Sequence, residues 1–179
     1  RILTPEFRNG PASIWSAGCA IGAEPYTLAI LVKNYRASHP ELRDVRILAT
    51  DLNPDLLEKA SLGEYSSAIL EETPPYFQTK YFQTLEESRF KVTSEIRSLV
   101  KFKQHDLFSS VCTGYHDAIV CRNVIIYFNK EQKEKLLRLF AKSLVPGGFL
   151  FLGGSETLPP EFSKIFDQRS FEHRIYRRK

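Results

Sequence analysis

Cysteine is scarce in this sequence, and long hydrophobic runs are missing. Only Cys19, Cys112 and Cys121 occur among 179 residues, and no two of them form a C-x-x-C pair. An odd number of cysteines without that spacing argues against a disulfide framework and a zinc site, so we expect no metal and a reducing, cytoplasmic location. No apolar run approaches the roughly 20 residues that span a bilayer, and no secretory signal is visible, so membrane insertion is not expected.

A strong excess of one charge is also missing. Lys and Arg number 25 against 21 Asp and Glu, and the net charge of +4 is too small to indicate a nucleic-acid partner. Basic residues gather at Arg174, Arg177, Arg178 and Lys179. There a solvated tail is the simpler interpretation, and contact with an acidic protein surface is the alternative. The length fits one domain with a full core, and the start at Arg1 rather than Met predicts a fragment or a processed chain.

Two phosphate-binding motifs are absent from the stretch around which the chain is organised, S-I-W-S-A-G-C-A-I-G-A-E-P-Y-T at residues 13–27. A short apolar run, small residues and a helical period from Tyr26 predict a strand, a tight loop and a helix with Pro25 in its first turn. Without G-x-G-x-x-G or G-K-[ST], the loop supports neither a dinucleotide nor a triphosphate site. Two interpretations stay open: a loop whose backbone amides approach a ligand, and a βα turn that only packs tightly.

Strands and helices alternate along the rest of the chain, which predicts an α/β fold with a parallel, doubly wound sheet. Asn53, followed by Pro54, and Asn129 are placed to cap two of the helices. Alternating residues at 90–92 and 96–103 predict a small hairpin inserted into the main sheet. The other predicted elements are the end of an earlier element at 2–7, strands at 13–17, 45–50, 100–104, 116–121 and 149–152, helices at 25–38, from 54 and at 130–143, a helix end at 146–148, and a final antiparallel strand at 171–176.

Polar residues follow the predicted strands at the edge where an open parallel sheet binds ligands. Asp51 follows the second strand, near the position at which an acidic residue accepts hydrogen bonds from the two hydroxyls of a ribose. Asp106 follows the third strand and can accept from an exocyclic amine of a purine. As alternatives, Asp51 is an exposed residue at a helix entry and Asp106 an ordinary turn aspartate. Together with Ala17 and Gly18 at the end of the first strand, they predict an adenosine-type ligand.

Charged and phenolic side chains surround the same edge. Glu24 lies where helix N–H groups stabilise a carboxylate, so it is either a plain N-terminal acid or the partner of a ligand ammonium or sulfonium group. Arg122 and Asn123 follow the fourth strand, and the arginine is either paired within the fold or available to an anionic group. Tyr127 places a phenol O–H at the mouth of the site, unless it belongs to the core.

Four stretches, in this order, resemble the CheR family of chemotaxis receptor glutamate O-methyltransferases, which use S-adenosylmethionine. They are W-S-A-G-C-A-I-G-A-E-P-Y-T-L-A-I, I-L-A-T-D-L-N-P-D-L-L-E-K-A, C-R-N-V-I-I-Y-F and L-V-P-G-G-F-L-F-L-G-G-S-E. The resemblance implies a class I S-adenosylmethionine-dependent methyltransferase fold, Rossmann-like and doubly wound, over residues 1–179. It also implies a small β-subdomain within residues 63–99 that docks on receptors. The implied reaction methylates glutamate side chains of methyl-accepting chemotaxis receptors and yields S-adenosylhomocysteine.

The resemblance further implies partners and site residues. The implied partner is the cytoplasmic helical bundle of a methyl-accepting chemotaxis receptor; nucleic acid is not a partner, and the protein is expected to be a monomer. The short loop between Phe82 and Phe90 predicts no grip on a receptor's C-terminal peptide. Tyr127 is the implied catalytic residue, near the transferred methyl group. The implied cofactor-binding residues are Ala17, Gly18, Glu24, Asp51, Asp106, Leu107, Arg122 and Asn123.

Three departures from the family pattern leave a second interpretation open, an S-adenosylmethionine-binding regulatory module that no longer transfers methyl groups. Ala23 replaces the first acid of the family's G-E-E-P-Y, and Gly154 stands where the family often has His in G-H-S-E. The family's helical N-terminal domain, and the segment that supplies a threonine and an arginine to the site, have no counterpart in this chain. A nucleic-acid methyltransferase is less favoured, because C-R-N-V rather than an N-P-P-Y-type motif follows the fourth strand.

Overall fold

The structure is a computed structural model that describes residues 10–86, 88–109 and 113–179. The element expected at residues 2–7 and the side chain of Cys112 lie outside the described residues. The helices and strands, in chain order, are β1 (Ala12–Ala17), α1 (Ala23–Ala37), β2 (Val45–Asp51), α2 (Pro54–Leu62), β3 (Glu64–Ser66), α3 (Ser67–Leu70), α4 (Pro75–Tyr81), β4 (Phe82–Glu86), β5 (Arg89–Val92), α5 (Ser94–Arg97), β6 (Val100–Gln104), β7 (His116–Cys121), a 3-10 helix (Ile125–Tyr127), α6 (Lys130–Ser143), β8 (Leu144–Leu152), a second 3-10 helix (Pro160–Lys164), β9 (Phe166–Ser170) and β10 (Ile175–Arg178).

Seven strands form the main sheet, in the order β6-β2-β1-β7-β8-β10-β9. β1 pairs in parallel with both β2 and β7, so the strand order reverses its direction beside β1. β6 and β8 extend the parallel part outwards, whereas β10 runs antiparallel between β8 and β9. The doubly wound parallel sheet expected from the sequence is confirmed. In such a sheet, the reversal leaves a crevice at the carboxyl ends of the strands, where ligands bind.

Helices cover both faces of the main sheet because its central strands are apolar on both sides. Every residue of β7 is buried, and Trp15 of β1 packs edge-on against Phe140 of α6, with the ring centroids 5.5 Å apart. α6 begins with a capping box in which the side chains of Asn129 and Gln132 each accept from the other residue's backbone N–H. On the opposite face, Tyr26 of α1 is buried between the main sheet and the small one. The strands that carry the crevice are therefore packed from both sides.

A buried ion pair joins the segment before β2 to the start of β7. Nη1 of Arg43 lies 3.2 Å from Oδ1 of Asp117, and the two side chains are 4% and 0% exposed. Oδ2 of Asp117 accepts from the backbone N–H of Ser13 at 2.8 Å, while Arg43 also donates to the carbonyls of Gly10 and Pro11. The pair therefore secures the entry into β1 at the edge of the sheet opposite the crevice.

The inserted β-subdomain differs from the predicted hairpin. β5 pairs antiparallel with β4 on one side and with β3 on the other, so the small sheet lies within residues 64–92. Ile96, predicted to begin a strand, is fully buried in α5, and β6 belongs to the main sheet beside β2. The prediction of a hairpin strand at 96–103 is therefore wrong, because a short segment with alternating apolar residues fits a helical turn as well as a strand. The third main strand, predicted at 100–104, is confirmed.

β8 begins earlier than the sequence predicts. α6 ends at Ser143, and β8 runs from Leu144 through the Pro-Gly-Gly segment at 146–148, which is therefore not the end of the helix. The pairing of β8 with β7 shifts its register between His116 and Ala118, so the early part of β8 accommodates Pro-Gly-Gly as an irregularity. The final antiparallel strand is confirmed, but it spans Ile175–Arg178, because residues 171–174 form a turn.

Candidate functional site

A cavity of about 360 Å³ opens at the carboxyl ends of the strands, beside the reversal in strand order. We call it the strand-end cavity. Its lining residues come from the segments after β1, β2, β6 and β7, and they are Gly18, Ala20, Asp51, Leu52, His105, Asp106, Leu107, Asn123, Val124, Tyr127 and Phe128. Six residues predicted from the sequence as site residues therefore meet here: Gly18, Asp51, Asp106, Leu107, Asn123 and Tyr127.

The loop after β1 is held against the end of β2. The backbone N–H groups of Gly18 and Cys19 donate to the carbonyl of Thr50 at 2.8 and 2.9 Å. Gly18 has a φ of +78°, and a Cβ placed on it would lie 2.6 Å from Cγ2 of Val124, so the position requires glycine. Ala17, the last residue of β1, is 1% exposed and lies in the core rather than in the cavity lining. Of the two residues predicted here, Gly18 faces the cavity and Ala17 supports the loop from the core.

Asp51 presents a carboxylate in a fixed orientation. Its Oδ2 accepts from the backbone N–H of Ala20 at 2.8 Å, and its Oδ1 accepts from the N–H of Asn53 at 3.0 Å. Because a carboxylate oxygen has two lone pairs, each oxygen can accept a second hydrogen bond from a ligand. Two vicinal hydroxyls, as on a ribose, fit this pair of oxygens.

The segment after β6 supplies another wall of the cavity. Oδ1 of Asp106 accepts from the N–H of Phe108 at 2.8 Å, which orients the carboxylate as in an Asx turn. His105 is 8% exposed and packs edge-on against Trp15, with ring centroids 5.8 Å apart. Burial is the main cause that lowers the pKa of His105, so the ring is neutral at pH 7. The sequence analysis missed His105 as a lining residue, and its place directly before Asp106 was the available signal.

Glu24 and Arg122 line a second cavity of about 510 Å³, together with apolar side chains of α1, β7 and β8. Because Arg122 and Asn123 are consecutive and line one cavity each, the two cavities flank the end of β7. Oε1 of Glu24 accepts from Oγ of Ser16 at 2.7 Å. Burial is the main cause that raises the pKa of Glu24, while Ser16 and Arg122 oppose the shift. The structure thus places Glu24 and Arg122, predicted as cofactor-binding residues, in the lining of a cavity next to the strand-end cavity.

We expect Glu24→Gln to raise the melting temperature of the ligand-free protein at pH 7. Burial places the pKa of Glu24 in the fold above its unfolded value of about 4.3, so the folded state loses stability as the pH rises from that value through the higher pKa of the fold. Glutamine has the same shape, can still accept from Ser16 and carries no charge. Thermal scans between pH 7 and 4 should therefore show a gain that shrinks as the pH falls. The exposed-site variant Glu131→Gln is the control, and a gain that is equal at both pH values would contradict the explanation.

Glu156, which the sequence analysis did not single out, holds the segment after β7. Glu156 is only 3% exposed, and its carboxylate accepts hydrogen bonds from four backbone N–H groups. The donors are Asn123 at 3.2 Å, Val124 at 3.0 Å, Ile125 at 2.8 Å and Gly153 at 2.6 Å. Its position in G-G-S-E, at the end of the last motif, was the only signal in the sequence. We call this arrangement the Glu156 clamp.

Tyr127 stands at the mouth of the strand-end cavity. It ends the short 3-10 helix after β7, it is 80% exposed, and it lines the cavity. The alternative of a core tyrosine is therefore wrong. The phenol is accessible both to solvent and to a molecule entering the cavity.

In the described part of the chain, no helix is both long and apolar enough to cross a membrane. Within the same residues, no three His, Cys, Asp or Glu side chains are grouped so that they could hold a metal ion.

Two solved structures of a methyltransferase share this fold. The glycopeptide N-methyltransferase MtfA complexed with sinefungin gives a TM-score of 0.51 at 13% identity, over 83% of this chain and 45% of that one. MtfA complexed with S-adenosyl-L-methionine gives a TM-score of 0.50 at 14% identity, over 82% of this chain and 46% of that one. At these identities the likeness shows the fold alone, which is the predicted class I S-adenosylmethionine-dependent methyltransferase fold.

Sequence relatives assign the chain to one family within this fold class. The model "CheR methyltransferase, SAM binding domain" matches residues 2–175. A chemotaxis protein methyltransferase of Listeria innocua is 39% identical over 153 residues, which are 86% of this chain and 56% of the relative. One of Borreliella burgdorferi is 35% identical over 160 residues, 88% of this chain and 56% of the relative. The chain belongs to the CheR methyltransferase family as its S-adenosylmethionine-binding domain, and it spans about half the length of these relatives.

Proposed function

We propose that the protein containing this domain transfers a methyl group from S-adenosylmethionine to glutamate side chains of methyl-accepting chemotaxis receptors, in the cytoplasm. The strand-end cavity carries the proposal, because Asp51, Asp106 and Tyr127 converge there within a CheR-family S-adenosylmethionine-binding domain. The relatives named chemotaxis protein methyltransferase support chemotaxis as the process. A glutamate methyl ester is the expected product on the receptor.

The residues around the two cavities fit the parts of the cofactor. The two oxygens of Asp51 suit the ribose hydroxyls, since both are held side by side by backbone N–H groups. Asp106, where the family usually has Asn, would accept from the exocyclic amine of adenine, with Leu107 as an apolar contact. Glu24 and Arg122 would hold the charged amino and carboxylate groups of the methionine part.

The loop after β1 contributes backbone rather than side chains to the proposed cofactor site. Gly18 lets the loop after β1 approach a ligand closely, and Ala17 keeps that loop in place from the core. Asn123 completes the lining beside Arg122.

When bound, S-adenosylmethionine would supply a methyl group carried on a sulfonium sulfur. A receptor carboxylate oxygen would bond to the methyl carbon as the carbon–sulfur bond breaks, and S-adenosylhomocysteine would leave with a neutral sulfur. A glutamate with a pKa of about 4.3 is already ionised at neutral pH, so the chain needs no general base. The chain's residues therefore act by alignment and by exclusion of water, effects worth about 7–11 kcal/mol in favourable cases. Tyr127 would orient one reactant through its O–H and would transfer no proton.

We expect Tyr127→Phe to lower the turnover number up to about tenfold, the value of one neutral hydrogen bond in the transition state. Affinity for S-adenosylhomocysteine should change less than about twofold, because the adenosine contacts lie on other strand ends. Steady-state methylation kinetics and calorimetry measure the two quantities. Tyr115→Phe is the matched control, since Tyr115 is also exposed but precedes β7 at the opposite edge of the sheet. An unchanged turnover number would remove Tyr127 from the mechanism.

The small sheet formed by β3, β5 and β4 is the proposed receptor contact, made by a monomeric protein. Four of the five residues of β4 are exposed, so its outer face is available to a partner. Neighbouring charges are already ordered, since Glu64 pairs with Arg89 at 2.5 Å and with Lys91 at 2.9 Å. A charged surface of this kind fits a polar helical bundle better than it fits an apolar partner.

Methyl transfer to a receptor tests the proposed function. The complete protein is incubated with methyl-tritiated S-adenosylmethionine and the cytoplasmic fragment of a methyl-accepting receptor. The expected label is released as methanol in mild base, as from an ester, and is absent when the receptor's acceptor glutamates are replaced by alanine. Cofactor binding without labelled receptor would instead indicate a regulatory module, and base-stable label would indicate another acceptor atom.

A further inference from the structure

The Glu156 clamp joins two strand ends through one buried carboxylate. Oε1 accepts from Val124 and Ile125 after β7, while Oε2 accepts from Gly153 after β8 and from Asn123. A carboxylate that is almost fully buried needs compensation for its lost hydration, and four N–H donors supply it. The clamp is therefore a built feature of this edge of the sheet.

The segment held by the clamp begins with a residue in an uncommon backbone conformation. Asn123 has a φ of +59°, in the left-handed region that non-glycine residues rarely occupy. Both Asn123 and Tyr127, four residues on, line the strand-end cavity. The N–H groups bonded to Glu156 thus set the direction in which the chain leaves β7 and crosses the cavity.

The clamp also reaches the loop after β1 through a side chain. Val124, whose N–H donates to Glu156, lies so close to Gly18 that a Cβ on Gly18 would approach Cγ2 of Val124 to 2.6 Å. On the other side, a Cβ on Gly153 would lie 2.7 Å from Oε2 of Glu156 and 2.8 Å from Oδ1 of Asn123. Glycine at positions 18 and 153 therefore allows Val124 and the carboxylate of Glu156 to pack closely against these two loops.

We propose that Glu156 is a positioning residue for the cofactor site, acting through the backbone of residues 123–125 and touching neither cofactor nor substrate. The inference rests on the proposed function only in taking the strand-end cavity as the cofactor site. Without the clamp, Val124 loses its fixed place beside Gly18, and Asn123 and Tyr127 lose theirs in the lining. Asp51 and Asp106, on the ends of β2 and β6, have no hydrogen bond to Glu156 and keep their own backbone contacts.

Glu156→Gln tests the proposal, because glutamine keeps the shape but replaces one accepting oxygen by an NH2 group. Two of the four N–H donors then face another donor. We expect affinity for S-adenosylhomocysteine, measured by calorimetry at a temperature where the variant is folded, to fall at least about tenfold. Glu156→Asp keeps both acceptor oxygens and should bind more tightly than Glu156→Gln. Amide hydrogen exchange at residues 123–125 should be slow in the wild type, although they lie outside the strands, and faster in the glutamine variant.

A stability-matched control separates positioning from general destabilisation. Val92→Ala removes packing from a buried residue of β5 in the small sheet, which belongs to another core cluster and lines neither cavity, and should lower the melting temperature while leaving affinity for S-adenosylhomocysteine unchanged. Equal affinity in Glu156→Gln and wild type, or an equal loss in Val92→Ala, would overturn the inference. Wild-type protein that binds no S-adenosylhomocysteine would instead overturn the proposed cofactor site. If the wild type binds no S-adenosylhomocysteine, or if Glu156→Gln does not fold, hydrogen exchange in the wild type still tests the clamp. Fast exchange of the amides of residues 123–125 would then refute it.

Discussion

Asp51→Ala is expected to weaken binding of S-adenosylhomocysteine about a hundredfold. The change removes both oxygens proposed to accept from the ribose, and a hydrogen bond to a charged group contributes about 1.5–3 kcal/mol. It also releases the N–H of Ala20, which Oδ2 of Asp51 now holds at 2.8 Å, so the loop after β1 loses one of its attachments. Calorimetric titration of the folded variant measures the effect. Asp51→Asn, which retains one acceptor oxygen, should lose less.

Asp55→Ala is the control for this prediction. Asp55 lies four residues further on, in the first turn of α2, where it is exposed and outside the cavity lining. Its removal should leave the affinity within about twofold of wild type, because a single exposed acid at a helix N-terminus contributes only about 0.3–1 kcal/mol, and only to folding. Binding by Asp51→Ala that equals binding by Asp55→Ala would show that the ribose does not lie on Asp51.

Arg43→Met is expected to lower the free energy of unfolding by about 3–5 kcal/mol, the usual cost of leaving one member of a buried ion pair unpaired. Asp117 is 0% exposed, so its carboxylate cannot recover water when the guanidinium is removed. The carbonyls of Gly10 and Pro11 lose their donor in the same change. Urea denaturation at pH 7 measures the loss, and an unchanged slope would show that the extent of unfolding is the same.

The double variant Arg43→Met with Asp117→Asn distinguishes charge burial from lost packing. Asparagine is neutral, and its side-chain oxygen can still accept from the N–H of Ser13, as Oδ2 of Asp117 does at 2.8 Å. We expect the double variant to be more stable than Arg43→Met alone, which is a favourable coupling in the double-mutant cycle. A double variant that is less stable than Arg43→Met would show that the unpaired charge is not the cause.

Elements with their own end signals could be predicted from the sequence. α6 spans the predicted residues because Asn129 caps it, and α2 begins where Asn53 and Pro54 predict, since the side chain of Asn53 accepts from the N–H of Asp55. The first helix, predicted at 25–38, is observed as Ala23–Ala37. The small sheet could not be predicted in the same way. β4 has no fully buried residue, so its sequence shows no alternation, and it pairs with β5, whose other edge pairs with the earlier β3.

The site could be predicted where each functional side chain directly follows a strand. Asp51 and Asp106 meet in one cavity because parallel strands place their carboxyl ends at one edge. Glu156 could not be found in this way, since the N–H groups of residues 123–125 that it holds lie 31–33 positions earlier in the chain. The separation of Glu24 from Asp51 depends on how loops fill the space between strands. Periodicity along the chain contains no information on that packing.

The order of strands in the main sheet also determines the order in which the sheet can be completed. β10 lies between β8 and β9, although both precede it in the chain, and β9 joins the main sheet through β10. During synthesis, β9 therefore emerges from the ribosome shortly before β10, the strand that joins it to the main sheet. After β1, each parallel strand of the main sheet can pair with a strand that emerged earlier, but β9 stays outside the sheet until residues 175–178 have also emerged. Until then Phe166, which is buried in the fold, lacks the cover of β10, and transiently exposed apolar surface of this kind is what chaperones protect.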